Sequence, residues 1–164
     1  MAAQGIYTDA YRAKLAQVAS GSVNDAGKAL LDLSTFAVGE GGWTLMGSNK
    51  VPVTPTGAET DLEANVDPGD SCATGNERLR FEKAIGGANI SDNGAGVLTI
   101  VCILDATETG LDSNSKLSGN CAGDPELFEI GLFDENGDMM VYATFDERVK
   151  QAGVAEQFTI VVTH

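Results

Sequence analysis

Two apolar runs, Leu127 to Phe133 and Met139 to Phe145, flank the pentapeptide Asp134-Glu135-Asn136-Gly137-Asp138. Asn-Gly between such runs is a strong hairpin signal, because both central residues of a type I′ turn need positive φ. The two runs are therefore expected as adjacent antiparallel strands. The pentapeptide also alternates Asp134, Asn136 and Asp138 in the manner of a calcium loop. An EF-hand loop needs glycine at position six and an acid at position twelve. Counted from Asp134, those positions hold Met139 and Phe145. The turn is the preferred reading, and Asp134, Asn136 and Asp138 are kept as the calcium candidates.

The rest of the chain repeats the strand pattern. Val97 to Leu104 is a nearly continuous apolar run and reads as a central strand. Leu79, Phe81, Lys83 and Ile85 alternate, and so do Phe158, Ile160 and Val162 within Val154 to Val162. Ala29 to Val38 is strand-like and runs into Gly39-Glu40-Gly41-Gly42. A dinucleotide loop would need a helix after its glycines. Trp43-Thr44-Leu45-Met46 follows instead, so the glycines read as a tight turn. Before all of these, Tyr7, Tyr11, Leu15 and Val18 fall at helical spacing, with Thr8 or Asp9 as cap and Gly21 as stop. The polar, turn-rich stretches 47–76 and 105–126 read as long loops, with a short helical turn near Ala58 to Ala64. No βαβ rhythm and no internal repeat occurs. The 164 residues suggest one domain, 1–164. The expected fold is mainly β (α+β): an antiparallel β-sandwich of about six strands over 29–164, with an N-terminal helix over 7–19.

Charge and residue inventory narrow the function. The net charge of −14, with no cluster of Lys or Arg, opposes binding to nucleic acid or to an anionic membrane. The first residues, MAAQGIYTDAYRAK, have no signal-peptide core, and the longest apolar run, Ile100 to Leu104, is too short to span a bilayer. Synthesis in a cytoplasm as a soluble chain is expected. The single histidine is His164, the last residue, so Ser-His-Asp and Cys-His chemistry is not expected. No enzyme activity and no cofactor are expected. Cys102 reads as a small buried hydrophobe, whereas Cys72 and Cys121 lie in Gly-rich polar loops and are disulfide candidates in an oxidising setting. Glu129 lies between Phe128 and Ile130 and should face the other way, as a solvated or interface carboxylate. Trp43 and Tyr142 are core residues or, in a sugar-binding module, stacking rings.

Two blocks at the ends of the chain carry a family resemblance. The first is YTDAYRAKLAQVASGSVNDAGKALLDLSTFAVGEGG, and the second is FEIGLFDENGDMMVYATFDERVKQAGVAEQFTIVV. In that order they resemble the N-terminal attachment domain of bacteriophage tail-collar and tail-fibre proteins, the P2-like group. The blocks cover roughly 70 of the 164 residues. Gly39, Gly41, Gly42 and Glu129 to Asp134 match its motifs. The resemblance implies a virion structural protein, assembled in the host cytoplasm, that attaches a fibre at the baseplate or neck. Its implied partners are copies of itself, as a homotrimer, and other tail, baseplate or fibre proteins. No catalytic residues are carried over. The chain stops at His164, soon after the last strand, so the expectation is an adaptor without a receptor-binding tip. Interface candidates are Tyr7, Tyr11, Leu15 and Glu129; alternatively, the helix stripe covers its own sheet. The alternative function is a stand-alone module for host-surface glycan, with calcium.

Overall fold

The computed structural model describes residues 2–20, 33–62, 80–86, 89–92, 97–108 and 126–163. These form β1 (Ala2–Gln4), β2 (Ile6–Tyr7), α1 (Asp9–Ala19), β3 (Leu33–Gly39), β4 (Trp43–Met46) and β5 (Asn49–Pro52). They continue as β6 (Arg80–Ala84), β7 (Ile90–Asp92), β8 (Val97–Leu104), β9 (Glu126–Asp134), β10 (Met139–Val149) and β11 (Glu156–Thr163). The protein is mainly β with one short helix, as expected. Each of the six anticipated strands is present, as β3, β6, β8, β9, β10 and β11. The other five strands have two to four residues each, too short to show a period.

Two larger sheets hold nine of these strands, one four-stranded in the order β1-β11-β8-β7 and one five-stranded in the order β2-β10-β9-β3-β6, while β4 and β5 pair with each other as a separate hairpin. The neighbours pair antiparallel, except that β1 runs parallel to β11. One apolar core joins the two sheets. It takes Ile100, Cys102, Leu104, Phe158, Ile160 and Val162 from one sheet and Phe36, Val38, Phe81, Ile130, Leu132 and Val141 from the other. β8 and β11 bury alternate residues, the mark of a sheet covered on one face. β9 is buried from Leu127 to Asp134, and β10 from Met139 to Ala143. The five-stranded sheet is therefore covered on both faces along this hairpin. A second apolar cluster on its outer face contains Ala37, Leu62, Phe133, Met139 and Tyr142.

The β9–β10 hairpin forms where its residues predict, but its turn differs in type. The Gly137 amide donates to the Asp134 carbonyl at 3.1 Å, which puts Glu135 and Asn136 at the turn's centre. Gly137 follows with φ +82. A central pair followed by a left-handed glycine makes a three-residue loop rather than a two-residue type I′ loop. The helix also starts later than expected. Tyr7 pairs with Val141 in β2, and the helix begins after Thr8, whose Oγ1 accepts from the Tyr11 amide at 3.3 Å. Of the proposed loop 47–76, residues 49–52 are strand, and 53–62 are irregular rather than helical. Residues 63–76 and 109–125, with Cys72 and Cys121, lie outside the described residues, as do the expected helix stop Gly21, 29–32 and Leu79.

The N-terminal strand crosses from one sheet to the other. Ala3 and Gln4 pair with Ile160 and Val161, and two residues later Ile6 and Tyr7 pair with Tyr142 and Val141. Gly5 sits at the crossing, where an added Cβ would meet Ile160 Cγ2 at 2.8 Å and Val141 Cγ1 at 2.9 Å. Gly5→Ala is therefore expected to destabilise by about 1–3 kcal/mol through overpacking between the sheets. Gly137→Ala meets nothing within 4 Å and should cost only about 1 kcal/mol, from its backbone conformation. Urea unfolding of the two variants tests this order, and an equal loss would contradict the tight crossing.

Candidate functional site

The two blocks of the family resemblance meet on the outer face of the five-stranded sheet. β3 lies beside β9 with Gly39 opposite Glu129, so the glycine turn folds directly over the Glu129 side chain. A Cβ on Gly39 would come within 2.8 Å of Glu129 Oε1. A Cβ on Gly42 would come within 2.9 Å of Glu129 Cβ and 3.0 Å of the Tyr142 hydroxyl, and Gly42 holds φ +81. Gly41 is buried between them. The glycines thus let backbone lie where no side chain fits. Beneath them the Tyr142 hydroxyl donates to Glu129 Oε2 at 2.8 Å. Glu129 does point away from Ile130, yet it is fully buried rather than solvated. The reason is the covering turn, which the alternation of a single strand does not reveal. Glu129 is therefore not a surface contact of the single chain.

The turn is tied down at both ends. The Trp43 indole N–H donates to the Glu40 carbonyl at 2.6 Å, and the Glu40 carboxylate accepts from the Glu126 amide at 2.8 Å. The Lys50 ammonium lies 5.1 Å from the Trp43 ring and 5.7 Å from the Phe128 ring, and pairs with Glu126 at 2.6 Å. Trp43 is 4% exposed and Tyr142 is 0% exposed. Neither offers a ring face for a sugar, so both are core residues. Trp43 edges an open cleft of about 460 Å³ with Thr44, Thr54, Thr56 and Glu59. Glu59 pins that loop by accepting from the amides of Thr56 and Gly57, each at 2.7 Å.

At the hairpin tip a lysine stands between the calcium candidates. The Lys14 ammonium of α1 donates to the carboxylates of both Asp134 and Asp138. Asp134 Oδ1 also accepts from the amides of Asn136 at 2.9 Å and Asp138 at 3.0 Å. Asn136 thus contributes its backbone N–H, a donor that repels a cation. This arrangement is an Asx turn with its own ammonium, not a calcium loop. Burial alone would raise the Asp134 carboxyl, but the Lys14 ammonium and the two amides outweigh it and leave it below its ordinary 3.8. Burial likewise opposes the charge of Lys14, and the two carboxylates outweigh it, leaving the ammonium above its ordinary 10.5. Among the described residues, no group of three His, Cys, Asp or Glu side chains could hold a metal ion.

The remaining interface candidates separate by position. The Tyr7 and Tyr11 rings stack at 4.0 Å and 18°. Burial, then the neighbouring Tyr11, pushes the Tyr7 phenol up to about 12, and burial also raises Tyr11. Both rings are half-buried, while Leu15 is 40% exposed. Lys14 and Glu59 were not anticipated as partners; Thr8 was expected as the helix cap, which it is, but not as a donor to the Met139 carbonyl. Lys14 does sit one helical turn from Tyr11, but nothing in its spacing names Asp134. Comparison with family models, with curated proteins and with solved structures returned no match.

Asp134→Asn keeps the shape and removes the charge, and should destabilise by about 2 kcal/mol at pH 7. The native carboxylate stabilises the fold fully above its ordinary value of 3.8, and that contribution disappears as pH falls through its lower folded value. The variant's unfolding free energy should therefore lose less than the native chain's across that acid range. Parallel urea titrations at neutral pH and below pH 3 measure it; identical acid limbs would contradict the clasp.

Proposed function

We propose that the protein is a structural component of a bacteriophage tail that joins a fibre to the baseplate or neck through homotypic assembly. The observation that carries this reading is the convergence of the two resembling blocks. Gly39 and Gly42 from the first close over Glu129 and Tyr142 from the second, and Lys14 from the first clasps Asp134 and Asp138. These residues act by locking segments together, as a load-transmitting scaffold needs.

Two further observations support the same reading. Arg12, Lys14, Lys50, Lys83 and Arg148 each pair with a carboxylate, which leaves the acidic excess outward and disfavours nucleic acid as partner. Leu15, on the stripe from Tyr11, remains accessible on the helix for a neighbouring copy.

Light scattering of the purified chain without reductant should give the mass of three 17.0 kDa chains. A monomer at all concentrations would remove the homotypic reading. Leu15→Glu should shift that mass toward one chain while changing the unfolding free energy by no more than about 0.5 kcal/mol, as for an exposed position. An unchanged assembly would take Leu15 out of the interface.

A further inference from the structure

We propose that the β4–β5 hairpin is the finger by which copies join, its tip residues Leu45 and Met46 seated in the cleft that Trp43, Thr44, Val53 and Ala58 line on a neighbouring copy. This inference rests on the homotypic assembly proposed above and names the contact that makes it.

The hairpin stands apart from the sandwich. β4 and β5 pair with each other, from Trp43 opposite Pro52 to Met46 opposite Asn49, and with neither larger sheet. The loop is Gly47-Ser48, and Gly47 holds φ +68, as the first central residue of a primed two-residue turn does. A Cβ on Gly47 would meet nothing within 4 Å, so the tip projects into open space. Met46 is 66% exposed and Leu45 51%, the two most exposed large apolar side chains among the described residues. The stem below them is fixed. The Val53 amide donates to the Gly42 carbonyl at 2.9 Å, and the Thr144 hydroxyl donates to the Val53 carbonyl at 2.7 Å. A tip on such a stem loses little freedom when it binds.

The same stretch of chain builds the receptor. The open cleft of about 460 Å³ lies at the foot of the hairpin, between Thr44 of β4 and the loop from Thr54 to Glu59, with Val53 and Ala58 as apolar lining. Pockets that enclose guest groups span about 300–1,000 Å³, so this one has room for side chains as large as those of Leu45 and Met46. Its outer wall is fixed too, because the Gly57 carbonyl accepts from the Asp9 amide at 2.7 Å and Glu59 closes the loop. Thr44 and Met46 lie two residues apart on one strand. A tip therefore cannot bend into the cleft beside its own stem, and a second chain must supply the occupant.

Charge favours a copy of this chain. Chains of net charge −14 repel one another, and their contact is least opposed where neither side presents a carboxylate. Residues 41–58 are the longest stretch without Asp or Glu, and they carry the tip, the stem and all of the cleft except Glu59. Lys50, the one charge within them, pairs with Glu126. The contact also continues toward the helix. Arg12 Nη1 lies 3.0 Å from where a Cβ on Gly57 would stand, and Leu15 follows Arg12 by one helical turn. One tip and one cleft per chain make a head-to-tail contact, which can close into a ring.

Light scattering of two variants and their mixture tests the contact. Leu45→Asp with Met46→Asp should lower the mass from that of several chains to that of one, and so should Ala58→Glu in the cleft. All three positions are exposed, so the midpoint of urea unfolding should stay at the native value. The two variants mixed in equal amounts should regain the mass of two chains, because the intact tip of one meets the intact cleft of the other. A tip variant that keeps the native mass would overturn the finger and leave homotypic assembly standing. A cleft variant that keeps it, or a mixture that stays at the mass of one chain, would overturn the seating of tip in cleft. A single-chain mass for the native protein would overturn both readings.

Discussion

The β9–β10 hairpin is buried on both faces, and the outer layer of the protein is arranged around the polar groups it carries inward. A buried carboxylate or hydroxyl without a partner costs about 1–3 kcal/mol or more, so these groups find partners within the hairpin itself and in the segments laid over it. Glu129 takes the Tyr142 hydroxyl beneath the glycine turn. Asp134 takes two amides of its own turn and the Lys14 ammonium. Thr144 donates to the Val53 carbonyl at 2.7 Å, which seats the chain after β5. Thr8 donates to the Met139 carbonyl and sets the start of the helix. These directional bonds give the covering segments a defined position that apolar burial alone would leave loose.

That organisation also explains why the glycines and acids of the two resembling blocks belong together. Gly39 and Gly42 are needed because Glu129 is inside, and Glu129 is inside because the turn is thin enough to cover it. Such closure resists relative movement of the strands and the turn that covers them. Against the net charge of −14, the large apolar side chains left exposed among the described residues are few: Leu15, Leu45, Met46, Val149 and Val154.

The body of the sandwich was legible because its long strands carry a period. Val97–Leu104 and Glu156–Thr163 show alternate burial, as a one-sided sheet requires. The hairpin at Asn136-Gly137 was legible as well, although its turn type was not, since Asn-Gly fits both a two-residue loop and a longer one. Ala2–Gln4, Ile6–Tyr7 and Ile90–Asp92 were not legible. Strands of two or three residues are made by their neighbours, not by their own pattern. The candidate site was legible in its parts only. The glycines, Glu129, Asp134 and the core reading of Trp43 and Tyr142 stood out, but the burial of Glu129 depended on a covering turn drawn from a distant segment.

By itself, then, the sequence determined the mainly β class, the six long strands, the cap before the helix and the position of the central hairpin. Each of these follows from short-range chemistry: side-chain period, turn residues and capping groups. Only the tertiary structure decided that Lys14 would sit between Asp134 and Asp138 and that Glu129 would lie under a glycine turn. It alone decided that residues 2–7 would bridge both sheets. Those outcomes join residues far apart in the chain, and no local propensity distinguishes one partner from another. What selects them is the hydrogen bonding of the buried polar groups together with close packing between the sheets.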